Sequence, residues 1–140
     1  MLEIEFGSGL YQASLDLRQL VLRTPLGLIL SETDLAGEEA QWHWGLEQDH
    51  VLQACVVIKP QHKPVAKLRQ MAVAPSLQGC GFGRQLLMQA IACLGERGFT
   101  ELTLDARQTA VSFYRRAGFV EQGQYFLQVG IPHIAMSKRI

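Results

Sequence analysis

The sequence predicts a mixed α/β (α+β) domain: a mostly antiparallel sheet with a central parallel crossover, and helices on both faces. Three observations predict it. Between Gln41 and Val73 the apolar residues fall into three strand-like runs joined by short polar turns, an antiparallel meander. Between Val65 and Leu104 a strand, a helix and a second strand follow one another, which implies a right-handed parallel crossover. The chain has 140 residues, the size of one domain with its own core.

Taken in order, the first third reads as helical. Leu15, Leu17, Leu20, Val21 and Leu22 form an apolar stripe that Pro25-Leu26-Gly27 breaks. Glu32 to Glu39 is acidic and loop-like. Trp42, Trp44 and Leu46 then alternate with Gln41, His43 and Gly45, a half-buried strand with the tryptophans inward and His43 toward solvent. Val51–Ile58 and Val65–Val73 are the next two strands, with turns at 47–49 and 60–64 that leave His50 and His62 in solvent. Gly83–Arg97 carries Leu86, Leu87, Ala90, Ile91 and Leu94 on one helical face, and Gly98 follows as its C-terminal glycine. Thr100–Leu104 is a strand, Thr109–Ala117 a second helix ended by Gly118, and Phe119–Val129 a strand interrupted at Gln122-Gly123-Gln124. Ile131–Lys138 is the last strand.

Composition excludes several functions. The 13 basic and 13 acidic residues cancel and no basic stripe appears, so nucleic acid is not an expected partner. No run of 18 apolar residues suggests a membrane span. The start Met1-Leu2-Glu3-Ile4-Glu5 lacks the basic and then apolar pattern of a signal peptide, so the expected location is the cytoplasm. Cys55, Cys80 and Cys93 are widely spaced and the four histidines form no H-x-x-x-H pair, so neither a disulfide framework nor a metal site is expected.

The segment Gln78-Gly79-Cys80-Gly81-Phe82-Gly83-Arg84 sits where a strand hands over to a helix. Glycines permit positive φ and close approach of a ligand, and a helix start offers unpaired N–H groups, so the segment reads as an anion cradle. It is not a P-loop, because Arg84-Gln85 stands where Lys-Ser/Thr is required. It is not G-x-G-x-x-G either, because position 84 is arginine.

Gln78-x-x-Gly81-x-Gly83 instead resembles the Q/R-x-x-G-x-G/A pyrophosphate loop of the GCN5-related N-acetyltransferases (GNAT superfamily), and Ala110–Phe119 resembles their A-x-x-[LF]-Y-x-x-x-G-F signature. Gly130–Met136 is similar to the ElaA-like and YjcF-like branch. The resemblance implies the GNAT fold over a single domain, with residues 1–40 on the acceptor side and 50–138 as the acetyl-CoA-binding core. It implies acetyl-CoA as co-substrate, no metal, and direct acetyl transfer to a primary amine, on a small molecule or a peptide. The alternative is a non-catalytic acyl-CoA-binding regulatory module, and an unrelated nucleotide binder is a third reading. Whether the chain forms a homodimer is left open.

The resemblance also distributes roles. Met71, Ala72 and Val73 would line the pantetheine arm. Gln78, Gly79, Cys80, Gly81, Phe82, Gly83 and Arg84 would hold the pyrophosphate. Tyr114 would be the general acid for the departing thiolate, against a packing role beside Phe113 and Phe119. His133 is the candidate base, against a structural histidine. Cys80 is not expected to act as a nucleophile. Two features depart from the family pattern, one of them at Arg107, which the resemblance still counts among the cofactor-binding positions. Arg107 stands where an asparagine often touches pantetheine, and Leu68-Arg69-Gln70 lacks the carboxylate that many members carry on that strand.

Overall fold

A computed structural model describes residues 1–140. One seven-stranded sheet, in the order β1-β2-β3-β4-β5-β7-β6, organises the molecule. Its strands are β1 (Leu2–Ile4), β2 (Trp42–Gln48), β3 (Val51–Pro60), β4 (Val65–Val73), β5 (Glu101–Arg107), β6 (Val120–Gln128) and β7 (Ile131–Arg139). The meander β2-β3-β4 is antiparallel, and β4 and β5 are the one parallel pair. Four α-helices accompany the sheet: α1 (Gly9–Arg18), α2 (Glu32–Leu35), α3 (Phe82–Glu96) and α4 (Val111–Arg116). This is the fold class the sequence predicts.

Helices cover both faces because β3 is apolar on both. Ala54, Val56 and Ile58 point into a core with Leu86, Leu87 and Leu94 of α3, and with Trp44, Leu102, Leu104 and Phe119. Their neighbours Leu52 and Cys55 point the other way, to Tyr11 and Leu17 of α1. Residues one apart on a strand face opposite sides, which places Cys55 against Ala54 and Val56, and the bulge at Gln53, where Leu46 faces Ala54 and Glu47 faces Leu52, turns Leu52 to the α1 side as well.

Three expectations are corrected. His43 is buried, at 4 % exposure, because α1 covers the second face of β2 and sets the Tyr11 ring 5.0 Å from the imidazole. The segment 32–39 is ordered rather than loop-like. Ser31 and Asp34 form a reciprocal cap on α2, and Glu38 is fully buried. The short β1 pairs with β2, and the helical first third continues beyond α1 as a π-helical turn, Gln19–Arg23.

Two irregularities open the sheet at its centre. The β4–β5 pairing covers only Val65–Lys67 against Glu101–Thr103, so the later halves of both strands are not bonded to each other. On its other edge β4 carries a bulge. Cys55 faces Ala72 and Val57 faces Arg69, which leaves Gln70 and Met71 opposite the single residue Val56. Gln70 takes a φ of 47°, a left-handed conformation costly for a residue with a Cβ. It is held there by its side chain, whose Oε1 accepts a bond from Arg18 Nε at 2.7 Å.

Candidate active site

The glycine loop lies between β4 and α3. After a 3-10 turn at Pro75–Leu77 the chain passes through Gly79 at φ 81° and Gly81 at φ 90° before entering the helix. No protein atom lies within 4 Å of where a Cβ would stand on either glycine, so the loop is open on that side. The first helical bond runs from Gln85 N to the Gly81 carbonyl at 2.9 Å. Of the amides from 79 to 84, Cys80 donates to the Leu77 carbonyl at 3.2 Å, and those of Gly79, Gly81, Phe82, Gly83 and Arg84 have no protein acceptor. Five donors therefore cluster at the positive end of a 15-residue helix, an arrangement suited to a polyanion.

The side chains around the loop fix its position. Gln78 Nε2 donates to the Val73 carbonyl at 3.1 Å and ties the loop to the end of β4. Gly83 brings α3 close to Val73 and Phe113, where a Cβ would stand 3.4 and 3.5 Å from their side chains. Cys80 is exposed, and no ion pair engages Arg84.

A cavity of about 350 Å³ occupies the gap between the diverging ends of β4 and β5. Met71 of the bulge, Arg107, Tyr114 and His133 all reach it, from four different elements. Ala72 and Val73 continue β4 past the cavity, Ala72 on the α1 face and Val73 against the core beneath α3. The split sheet explains how Tyr114, from the α3 side, and Leu22, from the α1 side, come to line one space.

Tyr114 packs its ring at 5.0 Å from Phe113 and 5.7 Å from Phe119. Burial pushes its phenol well above the ordinary value, so it stays protonated. Its packing and its place on the cavity hold together, so the two readings of this residue are compatible. His133 is 5 % exposed and its Nδ1 lies 2.9 Å from the Ile131 carbonyl. A carbonyl only accepts, so Nδ1 carries a proton, and in the neutral form of the ring the lone pair is on Nε2. Arg107 pairs with His133 across β5 and β7, and its Nη2 donates to the Leu22 carbonyl at 2.5 Å. The glycine loop and the cavity are joined by β4: Gln78 to Arg84 fall on the loop, Met71, Arg107, Tyr114 and His133 on the cavity, and Ala72 and Val73 on the strand between them.

A buried polar cluster beneath the bulge was not legible in advance. Glu38 accepts two bonds from Arg18, one from Tyr11 Oη at 2.7 Å and one from Arg69 at 3.2 Å, while its carbonyl holds His43 Nε2 at 2.8 Å. Burial alone would raise the Glu38 carboxyl, but the two arginines hold it below the usual carboxylate range. The signal was the spacing of Tyr11, Ser14 and Arg18, one face of a helix and all buried. An arginine on a buried stripe calls for an acidic partner elsewhere in the chain. No cluster of three or more His, Cys, Asp or Glu side chains is placed to hold a metal ion, and no helix is long and apolar enough to cross a membrane.

Comparison with known proteins agrees with this geometry. The ribosomal protein bS18-alanine N-acetyltransferase of Haemophilus influenzae is 41 % identical over 58 residues, 40 % of each chain. The crystal structure of the Escherichia coli ribosomal-protein-S18-alanine N-acetyltransferase superposes with a TM-score of 0.79 at 25 % identity, over 99 % of this chain and 93 % of that one. Escherichia coli ElaA shares the fold, with a TM-score of 0.83 at 20 % identity over 98 % and 97 % of the two chains. The chain spans about half the length, or less, of the curated relatives it matches. The family model described as an acetyltransferase (GNAT) domain matches residues 30–140. With the split sheet, the glycine loop and that match in hand, the chain belongs to the GNAT acetyltransferase family.

Proposed function

We propose that this protein is an acetyl-CoA-dependent N-acetyltransferase that works by direct transfer to a primary amine. The observation that carries the proposal is the set of five unpartnered amides at the start of α3, joined by β4 to a cavity holding a protonated, buried phenol. The diphosphate of acetyl-CoA would take the loop amides, and Met71 to Val73 would lie along its pantetheine arm. A backbone N–H at the bulge would polarise the thioester carbonyl. Tyr114 would protonate the departing thiolate, whose ordinary pKa of about 8.5 lies below that of a buried phenol. Transfer is therefore uphill in pKa and needs the two groups held close. His133 offers an Nε2 lone pair to accept the acceptor's proton. The S18-alanine acetyltransferase relatives make a protein N-terminal amine one acceptor class to test beside small amines.

One observation favours a second reading, a non-catalytic acyl-CoA-binding module. The carboxylate of Glu38 is committed to Arg18 and Arg69, and those of Asp34 and Asp105 on the cavity are paired with Arg23 and Lys67, so none is free to act as a base. One experiment separates the two. Saturation with acetyl-CoA at 100 times its dissociation constant should stabilise the fold by about 2.7 kcal/mol. For this size that raises Tm by about 5–10 °C. An amine panel should then release free thiol, and Tyr114→Phe should lower kcat by about 10²- to 10⁴-fold while acetyl-CoA still stabilises the variant. Stabilisation without turnover would leave the binding module. No stabilisation would dismiss both.

A further inference from the structure

The cavity wall carries more positive charge than its own carboxylates neutralise. Arg23 pairs with Asp34 at 3.1 Å and Lys67 with Asp105 at 2.9 Å. Arg18 and Arg69 share the single carboxylate Glu38. Arg107 belongs to no ion pair, and its one protein acceptor is the neutral Leu22 carbonyl. A guanidinium has five N–H donors, so most of those on Arg107 are free within a half-buried cavity. Arg69 spends its other bonds on neutral oxygens, Gln41 Oε1 and the Asp34 carbonyl, both at 2.7 Å. These five cations outnumber the three carboxylates by two, and both Arg107, which has no ion pair, and Arg69, which shares Glu38, face the cavity.

The position of Arg107 says which reactant meets it. Its bond to Leu22 turns it toward the π-helical segment, on the α1 side of the sheet. The glycine loop opens beside Val73 and Phe113, by the α3 core. Arg107 therefore reaches the cavity from the α1 side, away from the loop that would carry the diphosphate, none of whose residues line this cavity. Burial and the neighbouring Arg23 charge together hold the Arg107 guanidinium below its ordinary value, and an anion beside it would offset both effects.

We propose that Arg107 binds a carboxylate of the amine acceptor, so that the acceptor is an amino acid or a very short peptide with its amine and carboxylate a few bonds apart. This rests on the acetyltransferase reading and takes Arg107 away from pantetheine. A volume of about 350 Å³ suits a small molecule better than a folded protein end. The same positive wall also favours the neutral amine over the ammonium, which lightens the proton transfer asked of His133.

The test compares glycine, alanine, leucine and phenylalanine with their carboxamides as acceptors, using acetyl-CoA and, separately, succinyl-CoA. The carboxylates should be preferred by about 10- to 100-fold in kcat/KM. Arg107→Gln should bring that ratio close to one, and Arg107→Lys should retain part of it. Comparing ratios removes the difference in amine basicity between acid and amide. Amides accepted as well as acids, or a preference that survives Arg107→Gln, would overturn the proposal and leave the acetyltransferase standing. An Arg107-dependent preference for succinyl-CoA would overturn it too, by placing the carboxylate on the donor. A binding arm covers a protein that does not turn over: N-acetylalanine and N-acetylalaninamide are titrated into the coenzyme A complex. Binding of the acid alone, lost in Arg107→Gln, supports Arg107 as a carboxylate site while the catalytic reading, and with it the acceptor, fails. Binding of neither, or of both equally, overturns it.

Discussion

Gly81 shows what a single residue does here. Its φ of 90° is one that L side chains rarely adopt, and in the unliganded fold a Cβ would meet no protein atom. Alanine there strains the backbone by about 1 kcal/mol or more and places a methyl group on the open face of the loop. Gly81→Ala should therefore weaken acetyl-CoA binding more than it lowers Tm, which calorimetry beside a melting curve would check. Equal loss of both would make this glycine a turn residue only. His43 makes a second case. Burial pushes its imidazole below the ordinary range, and the bond to the Glu38 carbonyl offsets only part of that. The unfolded chain then takes up a proton near pH 6.5 that the fold resists, so stability is full above that value and falls as pH drops through it, by at most about 1.4 kcal/mol per unit. Melting at pH 5 and pH 7.5 should show this loss in the wild type, and His43→Gln should flatten it.

At the scale of elements, the bulge of β4 depends on a partner far away in sequence. Arg18 on α1 anchors Gln70 and is in turn neutralised by Glu38 in the 3-10 turn after α2. Removing the carboxylate would leave two arginines uncompensated, one of them fully buried. Glu38→Ala should lose about 3–5 kcal/mol in denaturant unfolding. A loss under 1 kcal/mol would mean that the cluster does not hold the bulge. This cluster also marks where reading the chain stops short. Periodicity and the glycine and proline breaks place β2 to β5 and α3 within a few residues, because those signals are local. The burial of His43 and Glu38 depends on α1 folding across the sheet, and the alternation of Trp42 to Leu46 shows only that one face is apolar. Tyr114 and the glycine loop were legible because their spacing is a motif. The cavity's charge was not, because Arg23, Arg107 and the β4 pair Lys67 and Arg69 come from three separate elements and meet only in three dimensions.

Across the whole molecule, the site follows from where the sheet fails to be regular. Parallel pairing of β4 and β5 ends after three residues, the bulge turns β4 away, and the gap between them becomes the cavity. The two cores, one under α3 and α4 and one under α1, hold the walls of that gap from opposite sides. The family model covers residues 30–140, and Leu22, Arg23, Thr33 and Asp34 of the first forty residues line the cavity, which the proposed function reads as the acceptor side. Acceptor choice is therefore expected to differ among relatives that share the loop. The most direct measurement of the central claim is a crystal structure of the coenzyme A complex. It should show the diphosphate on the amides of Gly79, Gly81, Phe82, Gly83 and Arg84, with the sulfur in the cavity within hydrogen-bonding reach of Tyr114 Oη. A diphosphate bound elsewhere, or a sulfur remote from that phenol, would contradict it.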